Sequence, residues 1–471
     1  MATENSRNLP NILVIMSDEH DPAVTGCYSD PIIRTPNLDR LAAQGVTFDA
    51  AYTTSPLCVP ARLSFTAGKY ISRCGAWSNQ CWLPGDEYPS LPRMLNRSGY
   101  ESFLGGKMHF DISRRYGFIE IYPASSNRSH KTGQELRRDP ADKNPNFLSW
   151  QERSSKFHVG DDSRIMSHDR LVTQHCSEFL RKRERSDRPF FMVAGYLAPH
   201  FPLIVPENYW QRYRDKIPMP HLPSGFEESL PTNYHQLKLG FGLTDTEPDT
   251  VKLGRELYWG LTDWLDNEIG KLLDALANSA VADNTLVIYT SDHGENKGDH
   301  GLWWKNNMYE HSCRIPLIMS LPSRWKGNQR RESVCSLVDV VQTIADIAEV
   351  RCPEDWNGDS LLPLLDKPSV PWKNFAVSEY YAHNIASGYA MLREDAWKYV
   401  YHTRINENFA PERELYHLQA DPGEFNNLAT LPEHAHRIEQ MHRKLINEIG
   451  RDPEEAELEC RADYARGYQR D

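Results

Sequence analysis

Residues 12–19 read Ile12-Leu13-Val14-Ile15-Met16-Ser17-Asp18-Glu19, five apolar residues without a break followed by a hydroxyl and two acids. A half-exposed strand would alternate; an unbroken run of this length suits a strand covered on both faces, as in the middle of a parallel sheet. The pattern recurs three times. Phe103-Leu104 leads through Gly105-Gly106 to Lys107 and His109, Phe190-Phe191-Met192-Val193-Ala194 leads to Pro199-His200, and Leu286-Val287-Ile288-Tyr289 ends at Ser291-Asp292-His293. Each time the titratable residues follow the apolar run directly. Open α/β sheets bind ligands beyond the carboxyl ends of their strands. Four such ends at one edge would gather two acids, two or more histidines and a lysine in one cleft.

Around these runs, residues 8 to about 365 alternate strand-like and helix-like segments, which predicts an α/β fold with a mostly parallel central sheet flanked by helices. Thr35-Pro36-Asn37-Leu38 reads as a capped helix start with proline at the first position, closed by Gly45. Leu257, Leu261, Trp264, Leu265, Leu272 and Leu273 recur at helical spacing, so that segment packs one face on the sheet. Residues 120–160 are polar and aperiodic, as expected of long surface loops or a lid. After Pro363 the texture changes to short β-like pieces (375–378, 389–392, 397–401), a turn at Asp421-Pro422-Gly423, and a charged helix from about Glu433 to Gly450. The expected division is a main domain over 8–365 and, over 366–471, a smaller C-terminal α+β subdomain with a small antiparallel sheet and a helix.

Composition narrows the function classes. The chain has 471 residues, enough for a large core, with 39% hydrophobic and 25% charged residues. No apolar run approaches the length of a membrane span, and the polar start Met1-Ala2-Thr3-Glu4 lacks the apolar core of a secretory signal. The expectation is a cytoplasmic protein as written, or a periplasmic or secreted one if a signal was removed. Nine cysteines without a C-x-x-C pair indicate neither a disulfide framework nor structural zinc, and Cys74 and Cys81 are expected to be thiols. The net charge of −12 argues against nucleic acid as a partner. An anionic ligand would need a pocket that is locally basic against this background.

One short motif carries specific chemistry. Cys58-Val59-Pro60-Ala61-Arg62, set between Ser55-Pro56-Leu57 and Leu63-Ser64-Phe65-Thr66, resembles the modification site of the type I sulfatases, where a cysteine followed by x-Pro-x-Arg is oxidised to formylglycine. An aldehyde hydrates to a geminal diol; one hydroxyl can attack a sulfate ester, and the other can expel sulfate by collapse back to the aldehyde. A plain alcohol would be left as a stable sulfate ester. The resemblance extends along most of the chain. Residues 10–18 look like the family's opening strand, and Gly26-Cys27-Tyr28 with Thr35 to Ala42 look like the following loop and helix. Gly106-Lys107-Met108-His109 is similar to its Gly-Lys-x-His segment, and Pro199-His200-Phe201-Pro202 to its Pro-His-x-Pro. Ser291 to Glu295, followed by Gly298-Asp299-His300-Gly301-Leu302-Trp303 and Lys305, is similar to its second metal-binding and lysine segment. Two departures stand out: Glu19 where members commonly carry a second aspartate, and Thr66-Ala67-Gly68 where they read toward Leu-Thr-Gly.

The resemblance implies an alkaline-phosphatase-like fold, a formylglycine at Cys58 made by a formylglycine-generating enzyme, and one divalent metal held by Asp18, Glu19, Cys58, Asp292 and His293. Hard carboxylate oxygens suit calcium or magnesium, and His293 leaves manganese open; the family favours Ca2+. Lys107, Lys305 and Arg62 would supply the fixed positive charge, Arg62 orienting the aldehyde side chain and the lysines gripping sulfate oxygens. His200, aimed rigidly between prolines, is the candidate general acid for the leaving alcohol, and His109 the candidate base; the two roles could be exchanged. Gly301-Leu302-Trp303 and Ser72-Arg73-Cys74-Gly75-Ala76 look nearest to choline-sulfatase and phosphonate-monoester-hydrolase members. The leading reading is a sulfatase acting on a small-molecule or saccharide sulfate ester, with a lean to carbohydrate. The alternatives are a phosphonate monoester or phosphodiester hydrolase with the same nucleophile, and a non-catalytic metal- and anion-binding protein that keeps the Cys58 thiol. Trp77, Trp82, Trp303 and Trp304 could be a sugar-stacking platform, a cage for a quaternary ammonium, or core. Oligomeric state is not readable from the sequence.

Overall fold

The computed structural model describes residues 9–85, 87–111, 113–123, 137–145 and 149–468. In chain order its first strands are β1 (Asn11–Asp18), β2 (Val46–Tyr52), β3 (Glu101–Gly106), β4 (Ile119–Pro123), β5 (His158–Val159), β6 (Phe190–Pro199), β7 (Ile204–Val205) and β8 (Thr285–Ser291). They are followed by β9 (Arg314–Ile315), β10 (Leu317–Ser320) and β11 (Gln329–Ser336). The main sheet runs β11-β2-β10-β8-β1-β6-β3-β4, with β9 against β2, while β5 and β7 form a separate ladder. Along that path every pairing is parallel except those of β10 with β2 and with β8.

The four apolar runs are neighbours, β8-β1-β6-β3, and all parallel. Both faces of β1 are covered: Leu13 and Ile15 pack with Val172 and Leu261, whereas Ile12, Val14 and Met16 pack with Leu63 and Val341. That double burial explains the absence of alternation. Register aligns their ends. Ser17 pairs with Ser291, Asp18 with Pro199, and Gly106 with Gly195. Asp18, Asp292, His200 and Lys107 therefore leave the sheet side by side at one edge.

The helix read from its leucines spans Pro248–Ala277 and buries Leu257, Leu261, Trp264, Leu265 and Leu272; Leu273 is only partly buried. The helix expected at Thr35 spans Pro36–Ala43, but Thr35 does not cap it. The Thr35 hydroxyl accepts from the Gly26 amide, and Asp266 of the long helix accepts from the Asn37 and Leu38 amides instead. Residues 124–136 and 146–148 of the expected loop or lid lie outside the described residues; the rest of that stretch carries β4, a helix over Trp150–Ser154 and β5. Among the described residues no helix is long and apolar enough to cross a membrane, and all nine cysteines are free thiols.

The C-terminal sheet has the order β12 (Phe375–Tyr380), β13 (Tyr389–Glu394), β14 (Trp397–His402) and β15 (Glu412–His417), all antiparallel. The sequence reading missed β15 and a last helix over Pro453–Ala465; the charged helix spans Ala435–Ile449. The residue-365 division falls within the short helix Leu362–Asp366. The aromatic platform is not present. Trp77, Trp82, Trp303 and Trp304 are all buried, with 0 to 9% exposure, so their faces are core.

Candidate active site

Cys58 is the first residue of a helix, Cys58–Ala67, in which all ten side chains are buried. The helix has no solvent face, and its polar side chains Arg62, Ser64 and Thr66 are hydrogen-bonded inside the protein. Pro60 sits in the first turn, where no amide partner is lost, and the Val59 amide donates to Asn79 Oδ1 at 3.0 Å. The helix ends at Gly68, in the left-handed region at φ 67° and so close to Trp356 that a Cβ would lie 2.4 Å from the indole. The partly positive end of this helix thus faces the strand ends with Cys58 at its tip.

Around Cys58 Sγ, Asp18 Oδ1 lies at 3.6 Å and His293 Nε2 at 3.2 Å. One ligand atom from each of Asp18, Cys58, Asp292 and His293 falls within 4.8 Å of all the others. A second such trio is Asp18, Glu19 and His200. His293 Nδ1 donates to the Gly294 carbonyl at 3.0 Å, which leaves Nε2 with its lone pair toward the cluster. Glu19 holds a left-handed backbone, φ 67°, and both its carboxylate oxygens are buried without a hydrogen bond, with Lys305 Nζ 2.9 Å from Oε1. Two carboxylates, an imidazole lone pair and an under-satisfied glutamate form a donor set that fits a hard divalent cation.

The positive charges take distinct places. Arg62 is fully buried and donates from Nε to Asp292 Oδ2 at 2.7 Å, from Nη2 to Asp18 Oδ2 at 2.9 Å, and from Nη1 to the Lys107 carbonyl at 2.7 Å. Its hydrogen bonds thus hold the two aspartates that flank Cys58. Lys107 pairs with Asp18, and Lys305 with Glu19. His200 Nδ1 donates to the Phe201 carbonyl at 2.6 Å, while Nε2 faces Glu19 Oε2 at 3.4 Å and Asp18 Oδ1 at 3.9 Å. The His200 side chain keeps 20% exposure, against 0% for Asp18 and Glu19, so the site opens beside it. His109 is buried with a left-handed backbone, two residues beyond Lys107. The structure brings it to this edge of the sheet, but its side chain is not part of the cluster around Cys58.

Burial dominates the electrostatics. It pushes the Cys58 thiol up to about 12, with Asp18 adding to it and Lys107 and Lys305 opposing. An unmodified Cys58 is therefore a neutral thiol at working pH and a poor nucleophile. Burial alone would raise Asp18, but Lys107, His200 and Arg62 hold it well below the carboxylate range. Glu19 goes the other way, up to about 8, by burial and the nearby Glu295 against the pull of Lys305. Burial and Lys305 lower His200 and His293 toward the neutral form. Lys305 stays charged against burial because Cys58, Glu19 and Asp18 surround it.

Glu295 had no assigned part in the sequence reading. Its Oε1 accepts from the Lys297 amide at 2.9 Å and the Trp304 amide at 2.5 Å, closing the loop that returns Lys305 to Glu19. Gly294 is required before it, since a Cβ there would lie 2.0 Å from the His311 carbonyl oxygen. The motif around Asp292 contains both residues, but their part is visible only once the loop is closed.

Comparison with known proteins agrees with this geometry. A family model described as Sulfatase matches residues 10–350, and one described as N-sulphoglucosamine sulphohydrolase, C-terminal, matches 298–451. Choline-sulfatase of Rhizobium meliloti (strain 1021) is 30% identical over 447 residues, covering 90% of this chain and 83% of that one. N-acetylglucosamine-6-O-sulfatase of Bacteroides thetaiotaomicron is 28% identical over 523 residues, covering 95% and 88%. The solved structure of BT4656 in complex with its substrate D-glucosamine-2-N,6-O-disulfate superposes with a TM-score of 0.76 at 24% identity, covering 95% of this chain and 99% of that one. With the strand-end cluster, the Cys-x-Pro-x-Arg helix and a family match over most of its length, this chain belongs to the sulfatase family, as a sulfuric ester hydrolase on the alkaline-phosphatase-like fold.

Proposed function

We propose that the protein hydrolyses carbohydrate sulfate esters with a formylglycine made from Cys58 and one bound Ca2+. The observation that carries this reading is the convergence of ligand atoms of Cys58, Asp18, Asp292 and His293 within 4.8 Å of one another, flanked by Lys107, Lys305 and His200. Asp18, Asp292 and His293 would hold the cation, with Glu19 as a further oxygen donor. When present, the cation and the hydrated aldehyde supply Lewis acidity and a regenerable nucleophile.

The chain's own residues do the rest. Arg62 locks the two aspartates in place through one short hydrogen bond to each and is itself anchored on the Lys107 carbonyl. Lys107 and Lys305 present positive charge to the sulfate oxygens, which offsets the acidic background of the chain. His200 stands where the site opens, with Nδ1 committed to the Phe201 carbonyl and Nε2 free to carry the proton for the departing alcohol. His109 remains the candidate base. The lean to carbohydrate is supported by the two saccharide-directed relatives named above.

The test is an intact-peptide mass for the fragment containing Cys58 after expression with a formylglycine-generating enzyme, paired with turnover of 4-nitrophenyl sulfate and a phenylphosphonate ester. Aldehyde at Cys58 and preference for the sulfate are expected. A thiol only, with no turnover, leaves the binding-protein reading; preference for the phosphonate ester makes the chain a phosphonate hydrolase.

A further inference from the structure

Arg153 lies in the helix Trp150–Ser154, outside every motif discussed above. Its guanidinium carbon is 4.2 Å from the Trp304 ring centroid, 4.4 Å from that of Phe201 and 5.2 Å from that of Phe241. Nε is buried without a hydrogen-bond partner, while the residue as a whole stays partly exposed. Among the described residues no carboxylate pairs with it. Burial lowers its pKa to about 10 against the pull of Glu19, Glu295 and Glu152, so it is charged at neutral pH.

Cation–π contact with three rings favours the charged guanidinium in this place. It leaves Nε, the buried donor of the guanidinium, without a partner, and a buried donor left unpaired is costly. Three rings hold the guanidinium in place, and the part of the residue that stays exposed is what a ligand can reach. The place is equally specific. Phe201 stacks on His200 with centroids 4.3 Å apart, and Lys305 Nζ lies 5.8 Å from the same Phe201 ring. A single aromatic side chain therefore separates this cation from the histidine beside which the site opens.

We propose that Arg153 anchors a second anion subsite, holding a sulfate or carboxylate of the substrate other than the ester being cleaved. The inference rests on the sulfatase reading. A planar fork of donors held on aromatic faces binds either oxyanion through two parallel hydrogen bonds, which a lysine could not do. The competing role is to neutralise Glu19 and Glu295 from a distance. That role would affect every substrate alike.

The experiment uses the modified, metal-loaded enzyme and two matched pairs of competitive inhibitors of 4-nitrophenyl sulfate turnover. One pair is glucosamine 6-O-sulfate and glucosamine 2-N,6-O-disulfate; the other is methyl glucoside 2-O-sulfate and methyl glucuronide 2-O-sulfate. In the wild type the extra anion of at least one pair should improve inhibition by about tenfold or more, as expected of a charge-assisted hydrogen bond, and the pair that responds tells sulfate from carboxylate. Arg153→Met should reduce that advantage to within about threefold, with kcat/KM and the pH profile for 4-nitrophenyl sulfate little changed. Arg153→Lys, which keeps the charge without the fork, should lose at least about threefold of the advantage and decides the matter if the methionine variant does not fold. The subsite is refuted by an absent advantage in the wild type, by one that survives in both variants, or by equal damage to 4-nitrophenyl sulfate with a shifted pH profile. Absence of 4-nitrophenyl sulfate turnover in the wild type is a separate result, which removes the underlying sulfatase reading.

Discussion

Cys58 and His200 can each be tested by a single substitution. Cys58→Ser keeps a hydroxyl at the tip of the helix but has no second oxygen through which to release sulfate. Multiple turnover should vanish while the melting temperature and metal affinity stay near wild type, read by steady-state rates, thermal melts and metal titration; wild-type rates would remove the proposed chemistry. His200→Ala should damage alkyl or sugar sulfates more than 4-nitrophenyl sulfate by about 10²–10⁴-fold, because a nitrophenolate departs without a proton and a sugar alkoxide does not. Equal losses in kcat/KM for the two leaving groups would assign His200 to sulfate binding instead. His200 was legible from its place after an apolar run, and Cys58 from its Cys-x-Pro-x-Arg motif. The hydrogen bonds of Arg62 were not, because its partners Asp18 and Asp292 are 44 and 230 positions away in sequence.

Among the elements, the helix Pro36–Ala43 shows how a local signal is overruled. Thr35-Pro36 is a good start signal, and the helix begins there, yet its free amides are met by Asp266 from the middle of the long helix. Asn37 Nδ2 also donates to the same carboxylate at 2.9 Å. Asp266→Ala should therefore cost about 0.5–2 kcal/mol, the usual price of a lost cap, and Thr35→Ala should not weaken the helix through capping. Urea unfolding of both variants checks this; a larger loss from Thr35→Ala traced by hydrogen exchange to residues 36–39 would contradict it. Competition between a threonine and a distant aspartate for the same amides cannot be read from a window of sequence, because the winner is chosen by packing.

At the scale of the whole molecule, the small sheet is tied to the large one through buried charge. Lys398 on β14 pairs with Glu310 at 2.7 Å and Glu424 at 2.6 Å, and Arg393 on β13 donates to the Tyr52 hydroxyl of β2 at 2.9 Å. Lys398→Met would remove the cation paired with both buried carboxylates and should cost about 3–5 kcal/mol by urea titration. The pH dependence has two opposite parts. Burial alone would raise Glu310, but Lys398, Arg314 and Arg393 hold it down to about 2. Its stabilisation is present above the unfolded value of 4.5 and is lost as pH falls from there toward 2. Burial pushes Glu424 up to about 7, so the folded state binds its proton more tightly than the unfolded chain, and stability falls as pH rises from 4.5 to about 7. The unfolding midpoint of Glu424→Gln relative to wild type should accordingly rise across that second window; a difference independent of pH would mean that Glu424 is ionised without cost.

The amino-acid sequence by itself determined the four central strands, the edge of the sheet at which chemistry gathers and the residue types found there, because apolar runs and the polar residues that end them are local properties. Order along the chain also carried the family motifs. Tertiary structure alone decided what each charge does. Arg62 holds aspartates from two strands, Glu295 closes a loop, the tryptophans became core, and Arg153 came to rest on three rings from separate segments. Electrostatic roles depend on distances of a few ångströms between residues hundreds of positions apart, and on burial that no window of sequence reports.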